Sequence, residues 1–127
     1  MILVDSDVLI AHLRGVVAAR DWLMGTRRHA PLAISVLTIT EITGGIRTDE
    51  RRETWGLLAR LHVEPVTETV ARRAGELMRT YRRSHRGIGT VDYLLAATAD
   101  VNGYDLATLN VKHFPMFDGL RAPFELG

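Results

Sequence analysis

The chain has 127 residues, with 16 basic and 15 acidic side chains giving a net charge of +1, and no cysteine. That length suits one domain over 1–127, able to bury about two-thirds of the surface its unfolded chain would expose. Disulfides, thiolate zinc sites and cysteine nucleophiles are excluded, so any metal must be held by oxygen or imidazole.

Ile2-Leu3-Val4 reads as a short buried strand, and Ser6 or Asp7 can cap a helix running to about Leu13. After the Gly15 break a second helix spans Val17 to Met24. "APLAIS" supplies another buried strand, and Ser35 caps a helix from Val36 to Ile46, whose end is marked by Gly44-Gly45 and Thr48. Asp49 to His62 has helical spacing at Trp55, Leu58 and Leu61, and "HVEPV" is a short strand. From Thr67 to Ser84 the apolar residues Val70, Ala74, Leu77, Met78 and Tyr81 make one stripe between charges, an amphipathic helix. Thr90 caps a helix from Val91 to about Val101, which Gly103 stops. "DLATLN" is a strand entering a turn, and the tail "LRAPFEL" can add an edge strand, where Pro123 is tolerated.

No apolar run approaches the roughly 20 residues of a membrane span, and the N-terminus lacks a basic segment followed by a long apolar one. The sequence therefore reads as a soluble, cytoplasmic protein with no membrane partner. Strands alternating with helices imply an α/β fold with a mainly parallel sheet covered on both faces. In such sheets ligands gather at the carboxyl ends of the strands.

Several polar residues meet that demand. Asp5 follows the first strand, Asn110 follows "LAT", and Asp92 lies in the first turn of a helix, where the macrodipole favours an anion. Glu41 projects away from the stripe of Val36, Ile39, Ile42 and Ile46, with Gly45 one turn on leaving room beside it. Singly, each has an ordinary explanation as a cap, a turn residue or a solvated helix face. Jointly, three carboxylates and an amide at one rim describe an oxygen-ligand site for a hard cation such as Mg²⁺, with Mn²⁺ as a substitute. Such a site can polarise a phosphodiester and activate water.

The pair Asp5-Ser6-Asp7 also fits a second chemistry, in which Asp5 is a covalent nucleophile as in haloacid-dehalogenase-like phosphatases. That reading needs a later lysine ahead of a further acidic motif. The only lysine, Lys112, comes after the last acid pair, and no Asp-Asp occurs.

The fragments "ILVDSDVLI", "TEITGG", "GTVDYLLAATA" and "LATLNVKHF", in this order and spacing, resemble the PIN-domain ribonucleases, specifically VapC-type toxins of bacterial toxin–antitoxin modules. The resemblance covers nearly the whole chain. It implies a PIN-like three-layer α/β/α sandwich with a mainly parallel sheet of four to five strands. Asp5, Glu41 and Asp92 then match the acidic metal-binding triad. Asn110 stands where many relatives have Asp, one negative charge fewer, and Thr108 matches a hydroxyl near the site. The implied activity is Mg²⁺-dependent endoribonuclease cleavage that inhibits translation and growth unless a VapB-like antitoxin is bound. The resemblance further implies a homodimer and a higher toxin–antitoxin assembly. A catalytically impaired PIN fold that only binds RNA or antitoxin is the alternative that Asn110 keeps open.

Acids that hold metal repel phosphate unless basic residues surround them. "RTYRRSHR" supplies Arg79, Arg82, Arg83 and Arg86 with no acid between, a candidate RNA-backbone contact. Arg72, by contrast, can pair with Glu68 or Glu76 one turn away, Asp100 is expected to be solvated, and His113 to belong to the closing turn.

Overall fold

The computed structural model describes residues 1–126. Four strands, β1 (Ile2–Val4), β2 (Leu32–Ser35), β3 (His62–Glu64) and β4 (Asp105–Ala107), form an all-parallel sheet in the order β3-β2-β1-β4. Between them run α1 (Ser6–Leu13), α2 (Val17–Arg27), α3 (Val36–Thr43), α4 (Arg51–Leu58), α5 (Glu68–Tyr81) and α6 (Thr90–Asn102), with 3₁₀ turns at Thr48–Glu50 and Val111–His113.

The strands are apolar on both faces because both faces are covered. Successive strand side chains point to opposite sides, and the core divides accordingly. Leu3 and Ala33 join α5 and α6 in one cluster, while Val4, Leu32 and Ile34 join α1, α2, α3 and α4 in the other. That is the three-layer α/β/α sandwich. In α6 the run Ala96-Ala97-Thr98-Ala99 is buried almost all round, because small side chains let α6 lie close to both the sheet and α5.

The chain builds β1, β2 and β3 outward in one direction and then returns to place β4 on the other side of β1. The crevice at the carboxyl ends of β1 and β4 is therefore the topological switch point, where open parallel sheets bind ligands.

Several boundaries differ from the sequence expectation. Helix α1 is capped by Asp5, whose extended backbone (φ −73°, ψ 155°) precedes the first helical residue and whose carboxylate accepts the Ser6 N–H. Asp7 lies inside the first turn and does not cap. Likewise Gly89 precedes α6 with the extended backbone that a cap requires, and Thr90 is already helical. Two consecutive glycines end α3 at Thr43, three residues before Ile46. The segment expected to be one helix over 49–62 begins as a 3₁₀ turn and stops at Leu58, four residues early. Gly103 ends α6 in the left-handed region at φ 69°, as a stop signal should. The tail forms no strand among the described residues. Leu120 packs on one core cluster and Phe124 on the other, so the tail crosses between layers and cannot run along a strand edge. Asp100 is not simply solvated: it accepts from Arg73 at 2.7 Å, tying α6 to α5.

Candidate active site

Asp5 sits at the switch point. Its N–H donates to the Ala107 carbonyl at 2.9 Å, which carries the β1–β4 pairing one residue beyond the strands. The side chain is buried and fully engaged. One oxygen accepts the Ser6 N–H at 2.7 Å and the other the Thr108 hydroxyl at 2.8 Å. Burial pushes the Asp5 carboxyl above its usual range, the two hydrogen bonds pull it back, and the Asp92 charge adds to the rise.

Thr108 is completely buried at the end of β4. Its hydroxyl has one proton, which goes to Asp5, while its oxygen accepts the Asn110 N–H at 3.0 Å. The 3.4 Å approach of the same oxygen to Asp7 is therefore a contact without a proton of its own. Replacing Thr108 with Val is expected to cost about 1–3 kcal/mol, because it strands one Asp5 oxygen and the Asn110 N–H together. Urea denaturation would measure this, and a loss below about 0.5 kcal/mol would contradict it.

Asp7 takes a role that the sequence did not suggest. It accepts the Leu109 N–H at 3.0 Å and so fastens α1 to the turn after β4. Its other oxygen is buried without a hydrogen-bond partner. Desolvation, then the Asp5 charge, pushes this carboxyl up to about 6.

Glu41, exposed on α3, is raised by desolvation first and then by the charges of Asp5 and Asp92. The Ser6 hydroxyl opposes the rise for both Glu41 and Asp5. Asp92, in the first turn of α6, accepts the Gly89 N–H at 3.2 Å and faces His113 Nδ1 at 3.1 Å. The Asp92 charge raises both Asp5 and Glu41, and no Arg or Lys pairs with any of the three among the described residues. Asn110 is engaged elsewhere: its amide lies 2.8 Å from His113 Nδ1.

Beside Glu41 a cavity of about 330 Å³ opens between α1 and α3, floored by Ile10, Leu13, Ile42 and Ile46 with Arg14 and Arg47 at its edge. Gly45 lines this cavity, and a Cβ built on it would meet nothing within 4 Å, so there is room beside Glu41 that does not depend on the residue being glycine. Arg79, Arg82, Arg83 and Arg86 lie at the end of α5 and in the loop leading to Asp92, all exposed and, among the described residues, in no ion pair. Arg72, as expected, is taken by Glu68 at 2.9 Å.

The sequence matches the PIN domain family over residues 2–118. The chain belongs to the PIN-domain family. Ribonuclease VapC10 of Mycobacterium tuberculosis (strain ATCC 25618 / H37Rv) is 68% identical over 124 residues, spanning 98% of this chain and 93% of that protein. Ribonuclease VapC19 of the same strain is 42% identical over 125 residues, spanning 98% of this chain and 100% of its own. Among solved structures, a chain of a toxin-antitoxin complex from Klebsiella pneumoniae shares the fold, with a TM-score of 0.81 at 24% identity over 98% of this chain and 99% of that one. This is accordingly a VapC-type PIN domain.

Within this PIN domain the sequence reading missed the parts that His113, Ser6 and Asp7 play around the acids. For Ser6 and Asp7 a signal existed, since both flank Asp5 directly. For His113 the spacing Asn-x-x-His places the imidazole one 3₁₀ turn after Asn110, but only the fold brings it to Asp92.

Proposed function

We propose that this VapC-type ribonuclease is the toxin of a toxin–antitoxin pair and cleaves RNA endonucleolytically with Mg²⁺, or Mn²⁺ in its place. The observation that supports the metal dependence is the set of three carboxylates, Asp5 after β1, Glu41 on α3 and Asp92 opening α6, with no Arg or Lys paired to them among the described residues; burial first and neighbouring acids second raise Asp5 and Glu41. The donors are oxygens throughout, which suits a hard cation. Among the described residues no three His, Asp or Glu side chains are already grouped closely enough to hold a metal ion by themselves, so the carboxylates would have to draw together on the cation. An open set fits Mg²⁺, which keeps several waters and shares its shell with substrate phosphate. Bound there, the cation would supply charge to a phosphodiester oxygen and lower the pKa of a bound water.

The chain's own contribution is to hold the acids ready. Asp5 is fixed from both sides by the Ser6 N–H and the Thr108 hydroxyl, while Asp92 is held by Gly89 and His113. Glu41 is left exposed on its helix, free to move onto the ion. The deciding experiment is cleavage of a total-RNA substrate with Mn²⁺, with Mg²⁺ and with EDTA, alongside Asp92→Ala. Cleavage that needs the metal and Asp92 is expected. Equal cleavage by the variant, or none by the wild type under any condition, would leave only a binding module.

RNA reaches such an acidic site if cations carry its backbone, and the unpaired Arg79, Arg82, Arg83 and Arg86 are the candidates. Changing Arg82 and Arg83 to Ala is expected to weaken RNA binding and flatten its dependence on salt by about two charges in the log–log slope. An unchanged slope measured by filter binding would remove these two from the interface.

The partner reading is that a VapB-like antitoxin covers the cavity beside Glu41, whose lining mixes Ile10, Leu13, Ile42 and Ile46 with charged residues, and inserts a basic side chain among the carboxylates, displacing the cation by a charge-assisted hydrogen bond. A homodimer and a larger toxin–antitoxin assembly complete the proposal, both open to test by light scattering of the co-expressed pair.

A further inference from the structure

His113 Nδ1 lies 3.1 Å from Asp92 Oδ2 and 2.8 Å from the Asn110 amide. A carboxylate only accepts, so the Asp92 contact requires the proton on Nδ1; the amide atom placed against Nδ1 is the Asn110 nitrogen, also a donor, and the two contacts become compatible when the amide is turned end for end so that its oxygen faces the N–H. The contacts continue beyond Asn110. Its backbone N–H donates to Thr108 Oγ1 at 3.0 Å, and that hydroxyl donates to Asp5 at 2.8 Å. Asp92 and Asp5 come from opposite ends of the sequence, yet a single turn, Thr108 to His113, touches both.

We infer that His113 is a positioning residue: through Nδ1–H it holds Asp92, and through Asn110 and Thr108 it sets Asp92 at a fixed separation from Asp5, so that the two carboxylates are poised for one cation. Asn110 on this inference supports His113 with its side-chain oxygen and is not itself an oxygen ligand. The inference rests on the metal-dependent reading above, but its first test does not.

The test begins with the metal-free protein. Long-range ¹H–¹⁵N correlation spectra of ¹⁵N-histidine-labelled protein at pH 8 report which ring nitrogen of His113 carries the proton. The Nδ1–H form is expected, and an Nε2–H form overturns the inference whether or not the protein is a nuclease. The second arm is Mn²⁺ binding by calorimetry without RNA. His113→Ala and His113→Gln are expected to weaken binding by about 10–100-fold, the range for groups that orient a metal's ligands. His113→Asn, whose amide nitrogen can stand where Nδ1 stood, is expected to recover most of it. The same order should hold for Asp92 alone, since in an Asp92→Asn background the His113 substitutions should no longer change affinity. Unchanged Mn²⁺ affinity in His113→Ala, or an Asn variant as weak as Ala while circular dichroism shows both folded, would overturn it.

Discussion

Asp5→Asn is expected to lower RNA cleavage by at least about 100-fold while leaving the metal-free protein as stable as the wild type, or more stable. Groups that merely orient a metal's ligands are worth about 10–100-fold, and a direct ligand should exceed them. The fold should tolerate the change because the hydrogen bonds can be rebuilt. The Asn oxygen can still accept the Ser6 N–H and cap α1. Its NH₂ then faces Thr108 Oγ1, which has a second lone pair to accept it beside the Asn110 N–H. The displaced Thr108 proton can turn to Asp7, 3.4 Å away. Meanwhile the substitution removes a buried charge that Asp92 and desolvation both disfavour. Initial cleavage rates in Mn²⁺, together with melting temperatures in EDTA, measure both halves. Cleavage within tenfold of wild type would mean Asp5 is only a helix cap; a large fall in melting temperature would mean its charge is structural.

Acid should stabilise the metal-free protein, the reverse of the usual behaviour of paired carboxylates. Asp7 is raised to about 6 from an ordinary 3.8. A carboxyl raised in the folded state binds protons more tightly there than in the unfolded chain. Its protonation therefore contributes stability that is fully present below about 4 and is lost as pH rises through about 6. Discounted for its partial exposure, Asp7 accounts for roughly 1–2 kcal/mol across that window, and the raised Asp5 and Glu41 act in the same direction. Urea denaturation at pH 4.5 and pH 7.5 in EDTA would measure it. In Asp7→Asn the pH dependence should shrink, with stability at pH 7.5 rising by on the order of 1 kcal/mol, because the amide can still accept the Leu109 N–H. Metal should reverse the trend: a cation competes with these protons, so added Mn²⁺ should raise the melting temperature more at pH 7.5 than at pH 5.5. Wild-type stability that falls on acidification in EDTA would refute the account.

The toxin reading gives this strained acidity a use. Burial first, and neighbouring acids second, hold Asp5 and Glu41 above their usual range, so a cation that enters beside them would return stability. On the proposed function, a metal ion and an antitoxin's basic side chain would compete for the same carboxylates, and the second would inhibit by displacing the first.

Much of this was written in local chemistry. The buried strands at Ile2 and Leu32, the amphipathic α5 and the stop at Gly103 follow from periodicity and from single-residue conformational limits, which need no distant partner. The alternation of strand and helix then implied a parallel sheet, and the sheet in turn implied where polar residues would matter. So Asp5, Glu41, Asp92 and Asn110 could be picked out as a group before any contact was known. What the chain could not state locally was which of its many hydrogen-bonding groups would meet. Whether Asp5 or Asp7 caps α1 depends on backbone angles at the end of β1, and those are set by pairing with β4, some hundred residues away in the chain. The tail can pack across two layers or lie along an edge, and only the position of both cores decides between them. His113 looks like any turn residue until β4 docks beside β1 and brings the closing turn to the start of α6. Contacts between residues far apart in sequence depend on how several elements dock at once, so the sequence by itself determined most of the elements and which acids to expect at the rim, and the tertiary structure alone decided the remaining boundaries and what holds each acid.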